Sequence, residues 1–156
     1  AVMFYTVGEV AKQMDVPAST LRFYDKEGLL PFVERSGGGI RMFKESDVEF
    51  LKIISCLKKA GLRVKDIRLF IQMVMEGDET IPKRLELFER QRREVKRQME
   101  ELEETLHTLD YKCWYYETAQ RLGSTKAVDG FSLDQIPEEL RAAKERLKNR
   151  IGTEEG

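Results

Sequence analysis

Apolar positions recur along this chain at two periods, and the changes of period divide it. Val7, Val10, Ala11 and Met14 are spaced by threes and fours, the single stripe of a short helix over 7–14. Thr6 and Glu9 ahead of it have the spacing of a capping box. Asp15-Val16-Pro17 then breaks the helix, because a residue before proline is pushed out of the α region while proline itself suits a helix start. A second helix is predicted over Ser19–Lys26, closed by Gly28. The next stretch alternates instead: Phe32-Val33-Glu34-Arg35 and Ile40-Arg41-Met42-Phe43 flank a Ser-Gly-Gly-Gly turn and read as a β-hairpin. The helical period returns over Glu45–Lys59, with Phe50, Ile54 and Leu57 inward and Gly61 as the stop. It recurs over 64–75, with Ile67, Phe70, Ile71 and Val74 inward.

From Thr80 the stripe lengthens. Ile81, Leu85, Phe88, Arg92, Val95, Met99, Leu102, Leu106, Leu109, Cys113 and Tyr116 alternate steps of four and three, a heptad seam interrupted only at Arg92. A helix of about 30 residues, roughly 45 Å long, cannot bury such a seam within so small a domain, so it needs a partner helix. Its outer faces carry Arg, Lys and Glu, the solvated flanks of a coiled coil. Arg92 is the kind of polar seam residue that selects one register. The period implies a coiled coil and leaves its direction open. Further on come the aromatic run Tyr111-Lys112-Cys113-Trp114-Tyr115-Tyr116, then Gly123-Ser124, a last polar helix over 137–150, and a fraying tail, Glu154-Glu155-Gly156. The aromatic run either cages a ligand or packs the end of the coiled coil onto a partner subunit.

Two short helices joined by so tight a turn make a helix-turn-helix, whose second helix enters the major groove, and a hairpin following it is a wing. At about 100° per residue Ser19, Arg22, Phe23 and Lys26 share one face of the second helix, with Leu21 and Asp25 turned the other way. Two cations, a hydroxyl and an outward ring suit phosphates, base edges and thymine methyls. On the second strand of the wing Arg41 and Phe43 share a face opposite Ile40 and Met42, and Arg35 or Arg41 at the hairpin edges can reach phosphates. The expected fold is mostly α. It comprises a winged helix-turn-helix domain (3–78) with two further helices, a long dimerisation helix (79–112), and a short C-terminal region (113–156) packed on the partner subunit.

Composition narrows the function. The chain is 41% apolar and 35% charged, with a net charge of −1, yet through Arg68 it carries 12 cations against 9 anions, so the remainder is acidic. No apolar run approaches the roughly 18 residues of a membrane span, and no signal-peptide pattern opens the chain, so a cytoplasmic location is expected. One histidine and no nucleophile-base constellation leave nothing for catalysis, so an enzyme is not expected. Two distant cysteines give neither a disulfide framework nor zinc-ligand spacing, so neither metal nor cofactor is expected.

Three motifs in order, Tyr-Thr-Val-Gly-Glu-Val-Ala at Tyr5, Thr-Leu-Arg-Phe-Tyr-Asp-Lys-Glu-Gly-Leu-Leu-Pro at Thr20 and Gly-Ile-Arg-Met-Phe at Gly39, resemble the MerR family of bacterial transcription regulators. The resemblance implies a homodimer joined by an antiparallel dimerisation helix and bound to a pseudo-palindromic promoter in double-stranded DNA. It also implies an overlong spacer, distorted until the two promoter elements can face RNA polymerase. The DNA-binding set is then Tyr5, Ser19, Thr20, Arg22, Phe23, Tyr24, Lys26, Arg35, Arg41 and Phe43. Where the family has a ring before the wing arginine this chain has Ile40, and Phe43 lacks the hydroxyl of the family's usual tyrosine.

Metal-sensing members bind thiophilic ions through cysteines at the start of the dimerisation helix and in a loop after it. Here that start, Glu76-Gly77-Asp78-Glu79-Thr80, has no thiol, and Cys113 reads as a small apolar filler of the seam. Cys56 lies at the flank of its helix's apolar stripe, with Lys52 at i−4 and Lys59 at i+3. Ammonium groups so placed favour the thiolate, the reactive form, although a cysteine there also serves as packing. The surrounding segment resembles the NmlR or AdhR branch of the family, in which a cysteine at this place responds to aldehydes and other electrophiles. Two alternatives stay open: a small-molecule site in the aromatic cluster around Trp114, and an architectural DNA-binding protein without an effector.

Overall fold

The computed structural model describes residues 2–154. Helix α1 (Val7–Gln13) starts with the expected capping box: the Thr6 amide donates to Glu9 Oε1 at 3.1 Å, and the Glu9 amide to Thr6 Oγ1 at 3.2 Å. Asp15, at φ +53°, carries the chain through the tight turn, and Pro17 caps α2 (Ala18–Lys26). Gly28, at φ +73°, ends that helix and sends Leu29 and Leu30 straight into the core.

The wing is smaller than the alternation suggests. Strands β1 (Glu34–Arg35) and β2 (Arg41–Met42) pair antiparallel, with Glu34 opposite Met42 and Arg35 opposite Arg41. Phe32 and Val33 lie in the turn before β1. Phe43 instead pairs with Tyr5, whose amide donates to the Phe43 carbonyl at 2.8 Å and whose carbonyl accepts from the Phe43 amide at 3.0 Å. The chain's N-terminal segment is thereby stitched to the base of the wing.

Helices α3 (Glu45–Lys59) and α4 (Val64–Glu76) match their expected spans. They close a core in which Val10, Leu21, Leu29, Leu30, Phe43, Leu51, Ile54, Ile67 and Ile71 are essentially fully buried. Gly77, at φ +110°, begins the turn Asp78–Thr80 that leads into α5. The buried Thr80 hydroxyl lies 2.6 Å from the Met73 carbonyl and 2.8 Å from that of Gly77, and Arg84 donates to Thr80 Oγ1 at 3.1 Å and to the Gly77 carbonyl at 3.0 Å. This network satisfies the carbonyls left open at the end of α4 and fixes the start of α5.

Helix α5 (Ile81–Leu122) is 42 residues long, not about 30, because no breaker interrupts it before Gly123 at φ +83°. It runs through the aromatic run and past the boundary expected at 112/113. The contacts divide the chain into two compact units at Arg93/Glu94, not at 78/79. The cause is local: Leu87 packs against the core of the winged unit, and Gln91 donates to the Ala60 carbonyl at 2.7 Å, so the first turns of α5 belong to that unit.

The second unit gathers the rest of α5, α6 (Thr125–Asp129) and α7 (Glu138–Glu154) around Tyr111, Ala119, Val128, Ile136 and Ala143. Tyr111 and Phe131 each lie 6.1 Å from Trp114 between ring centroids. The Tyr115 hydroxyl donates to Asp129 Oδ1 at 2.6 Å, which pushes the phenol up to about 12. These rings of the aromatic run are thus engaged within their own chain. The last helix, expected over 137–150, is α7; of the expected tail, Glu155 and Gly156 lie outside the described residues.

The seam stays open. Ile81, Leu85, Phe88, Met99, Leu102, Leu106, Leu109 and Tyr116 are between 38% and 69% exposed, Cys113 is exposed and Val95 half-buried. Among the described residues no helix is long and apolar enough to cross a membrane.

Candidate nucleic-acid interface

The outward face of α2 is the one its spacing predicts. Ser19, Arg22, Phe23 and Lys26 are exposed and Thr20 is half-buried. Tyr24 departs from the expected set. It is 2% exposed, beside Leu21 on the inward stripe, and burial pushes its phenol up although the Ser55 hydroxyl draws it back. Positions 21 and 24 are three apart and so face the same way, and Leu21 is already committed to the core. Tyr24 therefore holds α2 against α3 and offers its side chain to no groove.

Phe23 is 38% exposed, and its outward ring has a neighbour that the sequence reading missed. Lys58, in the last turn of α3, places its ammonium 4.4 Å from the Phe23 ring centroid and 5.4 Å from that of Tyr24. Lys58, Ser19, Thr20 and Phe23 line an open cleft of about 310 Å³. The only signal for Lys58 in the sequence is the basic pair Lys58-Lys59 closing α3, and the spacing of one helix cannot tell which neighbouring helix its end will meet.

The wing reverses an expectation. Arg41 and Phe43 do share a face, but it is the inward one. Phe43 is 0% exposed, and the Arg41 side chain is 16% exposed. Arg41 Nη1 donates to the carbonyls of Leu30 at 3.1 Å and Val33 at 2.9 Å, while Nη2 pairs with Asp25 on α2. Neither side chain is presented to DNA, so both leave the contact set. Alternation fixes which residues share a face of a strand and not which face is covered; here Phe43 is drawn in by its pairing with Tyr5. Asp25, read as merely turned away, is the anchor of the wing, because Arg35 also reaches it at 3.5 Å. Arg35 remains 52% exposed at its side chain and donates to the Gly39 carbonyl at 3.3 Å across the hairpin. Tyr5 is half-buried beside β2, and Ile40 is 67% exposed at the wing tip.

Two more ion pairs hold the frame. Lys44 reaches Glu34 at 3.0 Å at the base of the wing, and Arg68 of α4 reaches the Glu27 carboxylate at 3.4 Å and donates to the Glu27 carbonyl at 2.9 Å behind the end of α2. The arrangement separates two roles. Arg41, Lys44 and Arg68 are paired within the winged unit, as Arg35 is with Asp25 although half of its side chain stays exposed, whereas Arg22 and Lys26 on α2 and Lys58 on α3 stand at the surface. A surface of that composition attracts phosphates and can read base edges.

Cys56 is exposed, as its flanking position on α3 predicts. It lines an open cleft of about 380 Å³ with Lys52, Lys59, Ser55 and, from the end of α1, Gln13 and Met14. The thiol thus lies where α3 meets the first helix of the helix-turn-helix. Among the described residues no group of three His, Cys, Asp or Glu side chains could hold a metal ion.

Comparison with known proteins identifies relatives over most of the chain. Residues 5–74 match the family model described as MerR HTH family regulatory protein, and residues 48–111 match the one described as MerR, DNA binding. An uncharacterized HTH-type transcriptional regulator of Haemophilus influenzae is 47% identical over 136 residues, covering 87% of this chain and 98% of that protein. The HTH-type transcriptional regulator AdhR of Bacillus subtilis is 38% identical over 88 residues, 55% of this chain and 63% of AdhR. Among solved structures, HiNmlR, described as a MerR family regulator lacking the sensor domain and bound to promoter DNA, superposes with a TM-score of 0.72. It shares 46% sequence identity and covers 80% of this chain and 99% of its own.

Proposed function

The chain belongs to the MerR family of helix-turn-helix regulatory proteins, and from that premise we propose that it is a transcription regulator that grips promoter DNA as a homodimer. The observation that carries this reading is the outward face of α2, where Ser19, Arg22, Phe23 and Lys26 stand free of the core beside Lys58. A fold matched to a DNA-bound relative at 46% identity supports it. In the groove Arg22 reads a base edge and Lys26, Lys58 and Arg35 meet phosphates; Ser19, Thr20 and Tyr5 add hydroxyl donors.

The dimer is formed through the α5 seam, whose exposed residues from Ile81 to Tyr116 would otherwise leave an apolar stripe in water. Antiparallel pairing is what membership of the family implies. The two winged units of the dimer then bind two half-sites of a pseudo-palindrome and deform the DNA between them, which favours RNA polymerase at that promoter. Such deformation makes affinity depend on bases the protein never touches.

The input we assign to Cys56, as a thiol that reacts with aldehydes or related electrophiles. Its exposure and the two lysines lining its cleft support this. The alternative of a ligand cage around Trp114 has less support, since that ring packs against Tyr111 and Phe131.

Three outcomes are expected. Arg22→Ala costs about 1–3 kcal/mol at the specific site, whereas Lys58→Ala weakens all duplexes alike and lowers the slope of log affinity against log salt by about one. Electrophoretic titration over a salt series checks both, and normal affinity in Arg22→Ala and Lys26→Ala would sink the assignment. Sedimentation equilibrium of a Leu102→Lys, Leu106→Lys protein should give a monomer; a persistent dimer would place the interface elsewhere. In run-off transcription, Cys56→Ser should bind promoter normally and lose the response to aldehyde while Cys113→Ser keeps it. An aldehyde response surviving in Cys56→Ser would remove the thiol from the mechanism.

A further inference from the structure

Four phenylalanines from four separate segments stand in one line through the winged unit. Phe88, near the start of α5, meets Phe70 of α4 edge to face, with ring centroids 5.2 Å apart and planes at 88°. Phe70 stacks on Phe50 of α3 at 5.7 Å and 6°. Phe50 in turn meets Phe32, in the turn before β1, at 4.8 Å and 69°. The next residue, Val33, offers the carbonyl that accepts from Arg41, and Arg41 is paired with Asp25 of α2. An unbroken series of contacts therefore joins the dimerisation helix to the wing and to the helix that faces DNA.

We propose that Phe88 is a positioning residue for DNA binding, which acts through Phe70, Phe50 and Phe32 to set where the wing and α2 stand. This rests on the reading of α2 and the wing as the DNA-binding surface. At 38% exposed, against 58% for Leu85 and 64% for Met99, Phe88 is a seam residue with one side of its ring already covered by its own chain. Its remaining side is what a partner helix presses on. Aromatic rings have two torsions and no flexible stem, and they meet here in the edge and offset geometries that their quadrupoles favour. A close-packed interior passes such a displacement on instead of absorbing it. Leucine at the same position would fill the seam equally well but would not reach Phe70 with a flat face. A heptad alone therefore gives no reason for phenylalanine here.

A path of packed side chains becomes a mechanism only when coupling along it is measured. The test uses full-length Phe88→Leu, Phe50→Leu, the double variant and Phe88→Tyr. The probes are an end-labelled duplex that the wild-type protein selects from a randomised library and an unrelated duplex. Phe88→Leu should remain a dimer in sedimentation and bind the unrelated duplex as before, while losing about tenfold in affinity for the selected duplex and bending it less by energy transfer. Phe88→Tyr should restore both. Phe50→Leu, which leaves the seam intact, should show the same loss. The double variant should be no weaker than the weaker single, because one break already interrupts the line.

Wild-type affinity and bend in a dimeric Phe88→Leu would overturn the proposal, and so would losses that multiply in the double variant. Should Phe88→Leu dissociate, Phe50→Leu decides, since wild-type affinity and bend there are equally fatal. A wild-type protein that selects no sequence refutes the DNA-binding reading itself, a failure distinct from that of the ring line.

Discussion

One guanidinium ties together three parts of this fold: the wing, the segment before it and α2. Arg41 leaves β2, donates to the carbonyls of Leu30 and Val33 on the segment between α2 and the wing, and meets the Asp25 carboxylate on α2 itself. A two-stranded sheet with two residues in each strand has almost no stability of its own. Its place is therefore fixed from outside, by Arg41, by the Lys44–Glu34 pair and by the pairing of Tyr5 with Phe43. Hydrogen bonds to a charged group contribute about 1.5–3 kcal/mol when made, and a half-buried carboxylate left without its cation costs more than the bond alone. The cation suits the place because arginine has five donors in a rigid fork, enough to serve two carbonyls and a carboxylate together.

That inward cation gives the outward ones their meaning. The domain holds its helices in register with one set of cations and leaves another set at its surface. Arg41 and Arg68 bond backbone carbonyls behind α2, whereas Arg22, Lys26 and Lys58 stand in front of it. Lys58 shows how a surface cation can be kept in place without an anion: it rests over the faces of Phe23 and Tyr24, so its charge is not neutralised. The same economy appears at Thr80, where one buried hydroxyl and Arg84 satisfy the carbonyls at the junction of α4 and α5.

Much of this was legible in the sequence, and the parts that were not share a cause. Helix spans, the tight turn and the heptad seam follow from local periodicity, and α1 to α4 lie within a residue or two of their expected bounds. The face of α2 that carries Arg22 and Lys26 follows from the same count. Periodicity gives relative orientation only, so the inward sense of Arg41 and Phe43 could not be read from the strand: it shows in contacts with other segments, Leu30, Val33 and Asp25 for Arg41 and Tyr5 for Phe43. Tyr24 lies among charged neighbours in sequence, yet it shares its helix face with Leu21, three positions back, and is buried with it. Lys58 and Asp25 matter through residues on other elements, which a pattern along one helix does not display. Helix α5 outruns the length expected of it because its aromatic run, which differs in composition from the charged heptads before it, holds no glycine or proline before Gly123.

If Arg41 orients the outward face of α2 and the wing without itself touching DNA, losing its charge lowers affinity without removing a phosphate contact. A double-mutant cycle in promoter affinity, with Arg41→Gln, Asp25→Asn and both together, each measured over a salt series, tests it most directly. The two single variants should lose specific affinity to a similar extent, the double variant should be no worse than either, and the salt slope should stay at its wild-type value. An Arg41→Gln protein whose salt slope falls by about one while Asp25→Asn binds normally would contradict it, because that is the signature of a phosphate contact.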